Sequence, residues 1–190
     1  QHVVGLDPSA DQIANAPARP NIRYLRALAE RLPLPDGSAS IVVAAQAAHW
    51  FEIDAFYREA RRILAPAGAI VLITYGVIEA EGQVGAALAH FYHDVIGSFW
   101  PPERRHVEAG YRSLPFPFVE TNPPELAMTK MWSLDELLGY VGTWSALRNA
   151  ESSLGQEPLR EFGATIGSAW GDAGLRREIR WPLSTRMARA

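Results

Sequence analysis

The sequence contains no cysteine, only one lysine and no long uninterrupted hydrophobic run. Without cysteine, disulfide bonds, thiolate metal sites and thiol nucleophiles are all excluded. No apolar stretch approaches the roughly 20 residues of a membrane-spanning helix, so we expect no membrane partner. The formal net charge of −3 argues against a nucleic-acid partner, because phosphate binding normally requires a concentrated basic patch.

The composition that remains is typical of a folded globular protein. Of the 190 residues, 48% are hydrophobic and 21% are charged, which favours neither a disordered nor a fibrous chain. The length suits a single domain, or one domain that carries a sizeable insertion.

The chain begins with a short apolar run that ends in an acid, Val3–Asp7, followed by the helix-capping pattern Ser9–Gln12. An acid at the end of a strand can accept hydrogen bonds from both hydroxyls of a ribose. The glycine-rich turn that normally precedes such an acid by about 20 residues is missing, and the sequence starts at Gln1 rather than at Met. We therefore expect the later part of a longer nucleotide- or cofactor-binding domain. Its sheet should have a gap between the strands that begin at Val3 and Ser40.

Strand and helix patterns alternate through the first half. Ile22–Leu25 is a weak strand, and Ser40–Ala45 is so continuously apolar that we expect a parallel strand buried on both faces. Asp54 is the expected cap of the next helix, and Ala69–Tyr75 is another buried strand. This order predicts an α/β fold with a mostly parallel sheet.

The second half is richer in helix and proline. The spacing predicts a helix over Val84–Ile96, and Gly97–Glu125 holds six of the fourteen prolines together with several aromatic residues. A capping box at Ser133–Glu136 begins a further helix. We expect a last helix over Pro158–Ala173 that ends at Gly174, and then a final strand over Arg176–Ala188. Pro182 should bend that strand or place it at an edge.

Several polar residues follow the strands and are candidates for one ligand-binding crevice. Asp7, Gln46 and Tyr75 each stand at the carboxyl end of a strand, where open parallel sheets bind ligands. The simpler alternative is that the aromatic residues after Gln46 only cover the sheet edge and that His49 is an ordinary surface histidine.

Four ordered motifs resemble those of the class I S-adenosylmethionine-dependent methyltransferases. They are Asp7–Ser9, Ala29–Ser38, Gln46–Phe51 and Arg61–Gly68. The His-Trp-Phe variant at 49–51, with Met131–Tyr140 and Thr143–Ser145, is similar to the branch that contains trans-aconitate methyltransferase. The resemblance implies one Rossmann-like domain over 1–190, incomplete at its N-terminus, with an antiparallel C-terminal strand. Residues 84–173 would include a helical, proline-rich substrate cap.

The resemblance also implies S-adenosylmethionine as the cofactor and assigns its contacts. The residues concerned are Asp7, Pro8, Leu28, Ala29, Glu30, Gln46 and Ala47. Asp7 would bind the ribose, Pro8 would pack on the adenine, and Gln46 and Ala47 would line the methionine moiety. Many relatives have an acid at the position of Leu28, so adenine recognition here is expected to depend on packing and on the backbone of Ala29.

The implied acceptor is a small molecule, with a carboxylic acid as one candidate. Its expected contacts are Trp50, Trp100, Arg104, Arg105, Arg112, Tyr140 and Trp144, in which aromatic walls surround arginines that attract an acid. A carboxylate acceptor needs no base, whereas for a hydroxyl or an amine His49 is the candidate catalytic base. We expect a cytoplasmic enzyme, and the oligomeric state is open.

Three alternatives compete with this interpretation. The chain could be a non-catalytic remnant that keeps the fold for interaction. A short-chain dehydrogenase needs a tyrosine four residues before its lysine, but Leu126 precedes Lys130 at that spacing. His90 and His93 share a helix face but lack an evident third ligand, so we expect no metal site.

Overall fold

The computed structural model describes residues 2–189, and the chain divides into two compact units. The first unit holds the chain up to Ile73, the segment Leu114–Pro123 and the residues from Arg186 onward. The second unit holds Thr74–Ser113 and Pro124–Thr185. Each unit is therefore built from separate stretches of sequence.

Two parallel strand pairs form the framework of the first unit. Strand β1 (Val3–Asp7) pairs with β2 (Ile22–Arg26) in a two-stranded sheet. Strand β3 (Ala39–Ala45) pairs in parallel with β4 (Leu64–Tyr75), which begins within the expected turn and reaches the expected end. The parallel pairing agrees with the alternation of strands and helices in the sequence.

Antiparallel pairing enters with the C-terminal strand β7 (Arg177–Arg189). In the first unit its end pairs with β5 (Glu120–Thr121), and the strand order there is β3-β4-β7-β5. In the second unit its beginning pairs with β6 (Leu126–Trp132), a strand that the sequence analysis missed. The α/β fold class, with an antiparallel C-terminal strand, is confirmed.

The helices follow in chain order. They are α1 (Ala10–Ala14), α2 (Ile53–Ile63), α3 (Gly82–His90), α4 (Arg104–Glu108), α5 (Leu134–Val141), α6 (Ser145–Leu154) and α7 (Glu157–Trp170). The segment Phe91–Val95 continues α3 as a π-turn, so helical structure covers most of the expected Val84–Ile96.

Helix α2 packs one apolar face into the first unit and leaves its charged residues on the other side. The buried side chains are Phe56, Tyr57, Ala60 and Ile63, at the spacing of one helix face. The prediction that Asp54 caps this helix is wrong, because Glu52 occupies the N-cap position and Asp54 lies in the first turn. A carboxylate in the first turn still interacts favourably with the helix dipole.

The second unit has its own apolar core, formed mainly by helices α3, α5, α6 and α7. Its large, fully buried side chains include Leu88, Leu137, Leu147, Ile166 and Trp170. The capping box predicted at the start of α5 is present, because Ser133 and Glu136 each accept a hydrogen bond from the other's backbone N–H.

Strand β3 is not buried on both faces, which corrects the expectation from its apolar sequence. Val42 and Ala44 are buried, whereas Ile41 is 59% exposed and Val43 is 53% exposed. The alternation shows that only one face of the strand is covered by the described residues. Strands β1 and β3 also belong to separate sheets, with no strand between them among residues 2–189.

Near the C-terminus, one expectation is wrong and another is narrowed to one of its two alternatives. The last helix ends at Trp170, with Gly171 in a left-handed conformation (φ +78°), rather than at Gly174. Of the two alternatives for Pro182, the edge position is wrong, because β7 has described neighbours on both sides in the sheet order. Pro182, which lacks an N–H group, is nevertheless accommodated in the β6 ladder opposite Ala127.

Within the described part of the chain, no helix is long and apolar enough to cross a membrane.

Candidate functional site

Asp7 lies at the carboxyl end of β1, where the backbone that follows orients its side chain. Its Oδ1 atom accepts a 2.7 Å hydrogen bond from the Ser9 N–H. Ser9 caps α1 in turn, because its hydroxyl accepts a hydrogen bond from the Gln12 N–H. The other carboxylate oxygen of Asp7 has no protein partner within residues 2–189, so it can accept a hydrogen bond from a ligand.

A turn of four residues, Leu28–Arg31, follows β2. It is closed by a 3.2 Å hydrogen bond from the Arg31 N–H to the Leu28 carbonyl. Leu28 is 60% exposed and offers an apolar surface. Glu30 has a structural contact, because its Oε1 atom accepts a 2.9 Å hydrogen bond from the Glu52 N–H at the start of α2. The carboxylate of Glu30 therefore ties the turn to that helix.

The backbone changes direction sharply where β3 ends. Gln46 has a φ of +52°, in the left-handed region that a residue with a Cβ adopts at a cost of order 1–3 kcal/mol. Its N–H donates a 2.8 Å hydrogen bond to the Ile73 carbonyl of β4, which holds this conformation. Strained backbone of this kind concentrates at functional sites.

His49 and Trp50 lie in a single 3₁₀ turn, Ala48–Trp50, that follows Ala47. Their ring centroids are 4.8 Å apart, with the planes tilted by 45°. Trp50 is 62% exposed, which is unusual for so large an apolar side chain. Trp50 thus presents an exposed aromatic ring, with the half-buried His49 beside it, close in sequence to the strained residue Gln46.

The chemistry of these side chains fits the adenosine part of the expected cofactor. Asp7 has a carboxylate oxygen for ribose hydroxyls, and Leu28 offers an apolar surface for a flat base. The backbone of Ala29 is the expected contact of the base edge. Gln46 and Ala47 are the expected contacts of the methionine part.

A pocket of about 300 Å³ lies in the second unit and brings together three of the expected acceptor-binding residues. Its lining residues are Tyr92, His93, Gly97, Trp100, Pro101, Pro102, Arg104, Arg105 and Glu108. The volume is at the lower end of the range for small-molecule sites. The lining contains two arginines (Arg104 and Arg105) and His93 but only one carboxylate (Glu108), so its charge favours an anionic ligand.

Arg104 is held rigidly at the wall of this pocket. Its guanidinium carbon lies 4.8 Å from the ring centroid of Trp100 and 5.6 Å from that of Tyr92. Its Nε donates a 2.7 Å hydrogen bond to the Tyr92 hydroxyl, which donates to Glu108 Oε1, also at 2.7 Å. No acceptor among the described residues engages the terminal amino groups of Arg104. That end of a guanidinium matches a carboxylate bidentately.

Tyr92 is the central side chain of this arrangement, and the sequence analysis missed its role. It is buried, and burial raises the pKa of its hydroxyl well above the usual range; Glu108 adds to the effect and Arg104 opposes it. The hydroxyl therefore stays protonated and can donate to Glu108. The sequence offers only a weak signal for it, since a tyrosine at helical spacing usually indicates core packing.

Trp144 and Tyr140 lie in an aromatic cluster of the second unit rather than in the lining of the pocket. The Trp144 ring centroid is 5.7 Å from that of Trp100 and 6.1 Å from that of Tyr140. The Tyr140 hydroxyl accepts a 3.2 Å hydrogen bond from the Trp181 indole. Burial raises the pKa of Tyr140, while hydrogen bonding with the indoles of Trp181 and Trp144 opposes part of this increase.

Arg112 is exposed on the turn after α4, and it does not line the pocket. The two histidines weighed as metal ligands, His90 and His93, have different surroundings, and His93 lines the pocket described above. His90 Nδ1 lies 2.7 Å from Asp94 Oδ2 on the helix surface, and the described residues contain no cluster of three potential metal ligands.

Comparison with known proteins identifies the family. Residues 1–72 match the family described as methyltransferase domain. A candidate methyltransferase from Dictyostelium discoideum is 31% identical over 180 residues, which cover 91% of this chain and 68% of that protein. A solved structure of a candidate type II methyltransferase from Anaeromyxobacter dehalogenans is 39% identical. It superposes with a TM-score of 0.94 over 99% of this chain and 80% of that chain.

A more distant structure supports the fold alone. It is a candidate methyltransferase from an antibiotic biosynthesis pathway of Anabaena variabilis, 17% identical, with a TM-score of 0.52 over 94% of this chain and 80% of that one. The motifs, the fold and the first two relatives agree, and the chain belongs to the class I S-adenosylmethionine-dependent methyltransferases.

Proposed function

We propose that this protein transfers a methyl group from S-adenosylmethionine to a small molecule, with a carboxylic acid as the acceptor. The observation that carries the proposal is the geometry of Asp7, whose carboxylate stands at a strand end with one oxygen fixed by Ser9. A carboxylate at this place in an α/β sheet can bind the ribose hydroxyls of a nucleotide-like cofactor.

The remaining cofactor contacts follow from the same unit. Pro8 packs against the adenine beside the exposed Leu28, and the backbone of Ala29 recognises the edge of the base. Gln46 and Ala47, at the strained end of β3, contact the methionine part. Glu30 contributes indirectly, because its carboxylate fixes the turn to Glu52.

Held by Asp7, Leu28 and Gln46, S-adenosylmethionine would supply an activated methyl group. An acceptor carboxylate would gain that methyl as an ester as the carbon–sulfur bond of the sulfonium breaks, leaving a neutral thioether. A carboxylate acceptor loses no proton in this balance, so no catalytic base is required. The protein mainly holds the acceptor close and aligned. For a hydroxyl or amine acceptor, His49 is the proposed base.

Arg104 supports the choice of an acid. Its guanidinium is immobilised by Trp100 and Tyr92, so binding a carboxylate there would cost little side-chain entropy. Arg105 adds a second positive charge to the same pocket. Trp50, Arg112, Tyr140 and Trp144 do not line this pocket, and their part in acceptor binding stays a prediction.

Calorimetric titration with S-adenosylmethionine and S-adenosylhomocysteine tests the first part of the proposal. Both should bind. If neither binds, the proposal is wrong, and a methyltransferase fold retained for interaction becomes the better explanation.

Transfer of labelled methyl groups from S-adenosylmethionine to a panel of acceptors tests the second part. Benzoate and succinate represent acids, and benzamide, phenol and aniline serve as uncharged controls. Acids should be preferred. Methylation of phenol or aniline without any methylation of acids would contradict the role of Arg104, and it would make His49 the residue to replace.

A further inference from the structure

Arg62, in the last turn of α2, makes five hydrogen bonds, as many as a guanidinium has N–H groups. Its Nε and Nη2 donate to the two carboxylate oxygens of Glu59, at 2.8 and 2.7 Å. The other three bonds reach the loop that follows the Leu28–Arg31 turn. They go to the Leu32 carbonyl (3.1 Å), the Leu34 carbonyl (2.9 Å) and Asp36 Oδ1 (2.5 Å).

Glu59 completes the attachment of this loop to the helix. Its Oε1 atom accepts a 2.6 Å hydrogen bond from the Leu32 N–H, so both backbone groups of Leu32 are held by α2. The Gly37 N–H also donates to the Arg62 carbonyl at 2.9 Å. Leu32 itself is only 7% exposed, which anchors the start of the loop further.

The Leu28–Arg31 turn is therefore a short bridge between two fixed points. On its N-terminal side, the Ala27 N–H donates a 3.2 Å hydrogen bond to the Asp7 carbonyl. On its C-terminal side, Leu32 is held by Glu59 and Arg62. A segment of four residues fixed at both ends has little freedom to move. Its backbone is thus presented in one arrangement before any ligand binds.

We infer that Glu59 and Arg62 are positioning residues that set the affinity and the base selectivity of the cofactor site, acting through Leu32 on the Leu28–Arg31 turn. The inference rests on the proposed function, in which this turn recognises adenine. Recognition by backbone groups depends on where the backbone is held, because no polar side chain at Leu28 can compensate for a displaced turn.

The experiment compares the binding of S-adenosylhomocysteine and S-inosylhomocysteine, which differ only in the base. For wild-type protein we expect a clear preference for adenine. Arg62→Ala should weaken S-adenosylhomocysteine binding by on the order of tenfold and bring the two dissociation constants closer together. Arg62→Lys keeps the charge but cannot form the five-bond fork, so it should show the same trend to a smaller degree. Arg58→Ala is the matched control, since Arg58 is exposed on the same helix.

Circular dichroism at the titration temperature ensures that every variant compared is folded. A purely structural role of Arg62 would lower the melting temperature but leave the adenine preference of the folded protein unchanged, and that result would overturn the inference. Equal dissociation constants for wild type and Arg62→Lys would do the same. If wild-type protein binds neither compound, the proposed function itself fails, which is a distinguishable outcome.

Discussion

At the scale of single residues, Asp7 is the most direct test of the cofactor site. Asp7→Asn keeps the size of the side chain but removes the charge that strengthens its hydrogen bonds to ribose hydroxyls. We expect S-adenosylhomocysteine binding to weaken by about 1.5–3 kcal/mol, the contribution of a hydrogen bond to a charged group. Calorimetry measures this, with Asp11→Asn on the exposed face of α1 as the control. Equal affinity in the Asp7→Asn and control proteins would contradict the assignment.

Arg104 tests the acceptor pocket at the same scale. In Arg104→Lys the charge remains but the bidentate end is lost, so the KM for an acid acceptor should rise about tenfold with little change in kcat. The reason is that the carboxylate contact is equally strong in the ground state and the transition state. Steady-state kinetics with an acid and a neutral acceptor checks this, and Arg148→Lys, on an exposed side chain of α6, is the control. A fall in kcat at unchanged KM would argue against this role.

At the scale of secondary-structure elements, the link between α2 and its neighbouring loop should depend on pH. The hydrogen bonds from Arg62 lower the pKa of Glu59 from 4.5 to about 2. Because the pKa is lower in the folded state than in the unfolded state, the ionised carboxylate stabilises the fold fully above pH 4.5. That contribution is lost as the pH falls from about 4.5 toward 2.

Urea unfolding of wild type and Glu59→Gln at several pH values measures this dependence. The wild-type advantage in free energy of unfolding should be constant between pH 7 and 5 and should shrink at lower pH. A difference that does not change between pH 5 and pH 3 would show that the ionised carboxylate contributes nothing.

The elements themselves could largely be predicted from sequence wherever local signals act alone. The capping box formed by Ser133 and Glu136 is such a case, because both partners lie within one turn of helix. The predicted cap at Asp54 failed because Glu30, distant in sequence, binds the Glu52 N–H and fixes where α2 begins. Strand β6 was not predicted, because its sequence shows no clear alternation of apolar and polar residues. It forms a strand because it pairs with β7, a strand far along the chain from it.

In the candidate site, too, local signals could be predicted from the sequence, whereas contacts between residues distant in sequence could not. Asp7 and Gln46 could be proposed from their positions after apolar strands, since the carboxyl ends of parallel strands bind ligands. The roles of Tyr92 and Arg62 depend on partners 16 and 26 residues away, Glu108 and Asp36, which no periodicity indicates. Motif patterns therefore locate ligand contacts more readily than the residues that hold those contacts in place.

At the scale of the whole molecule, the distribution of exposed apolar residues is uneven. On β1, Val3 and Val4 are 46% and 37% exposed, and on β3, Ile41 and Val43 are 59% and 53% exposed. Each of these strands has one paired neighbour among residues 2–189, so each presents an open edge beside its exposed apolar side chains. Open apolar edges are templates for pairing with further strands.

We therefore expect the 190-residue chain to associate with itself as its concentration rises, through the open edges of β1 and β3. Val43→Lys places a charge on the exposed face of β3 and should shift the protein toward monomer, since charged side chains discourage pairing at an edge. Val119→Lys makes the same chemical change at a residue that is 86% exposed but lies outside any strand, so it should leave the association unchanged. Size-exclusion chromatography with light scattering over a range of concentrations measures both. A wild-type chain that is monomeric throughout, or an equal response to the two substitutions, would show that these strand edges do not drive association.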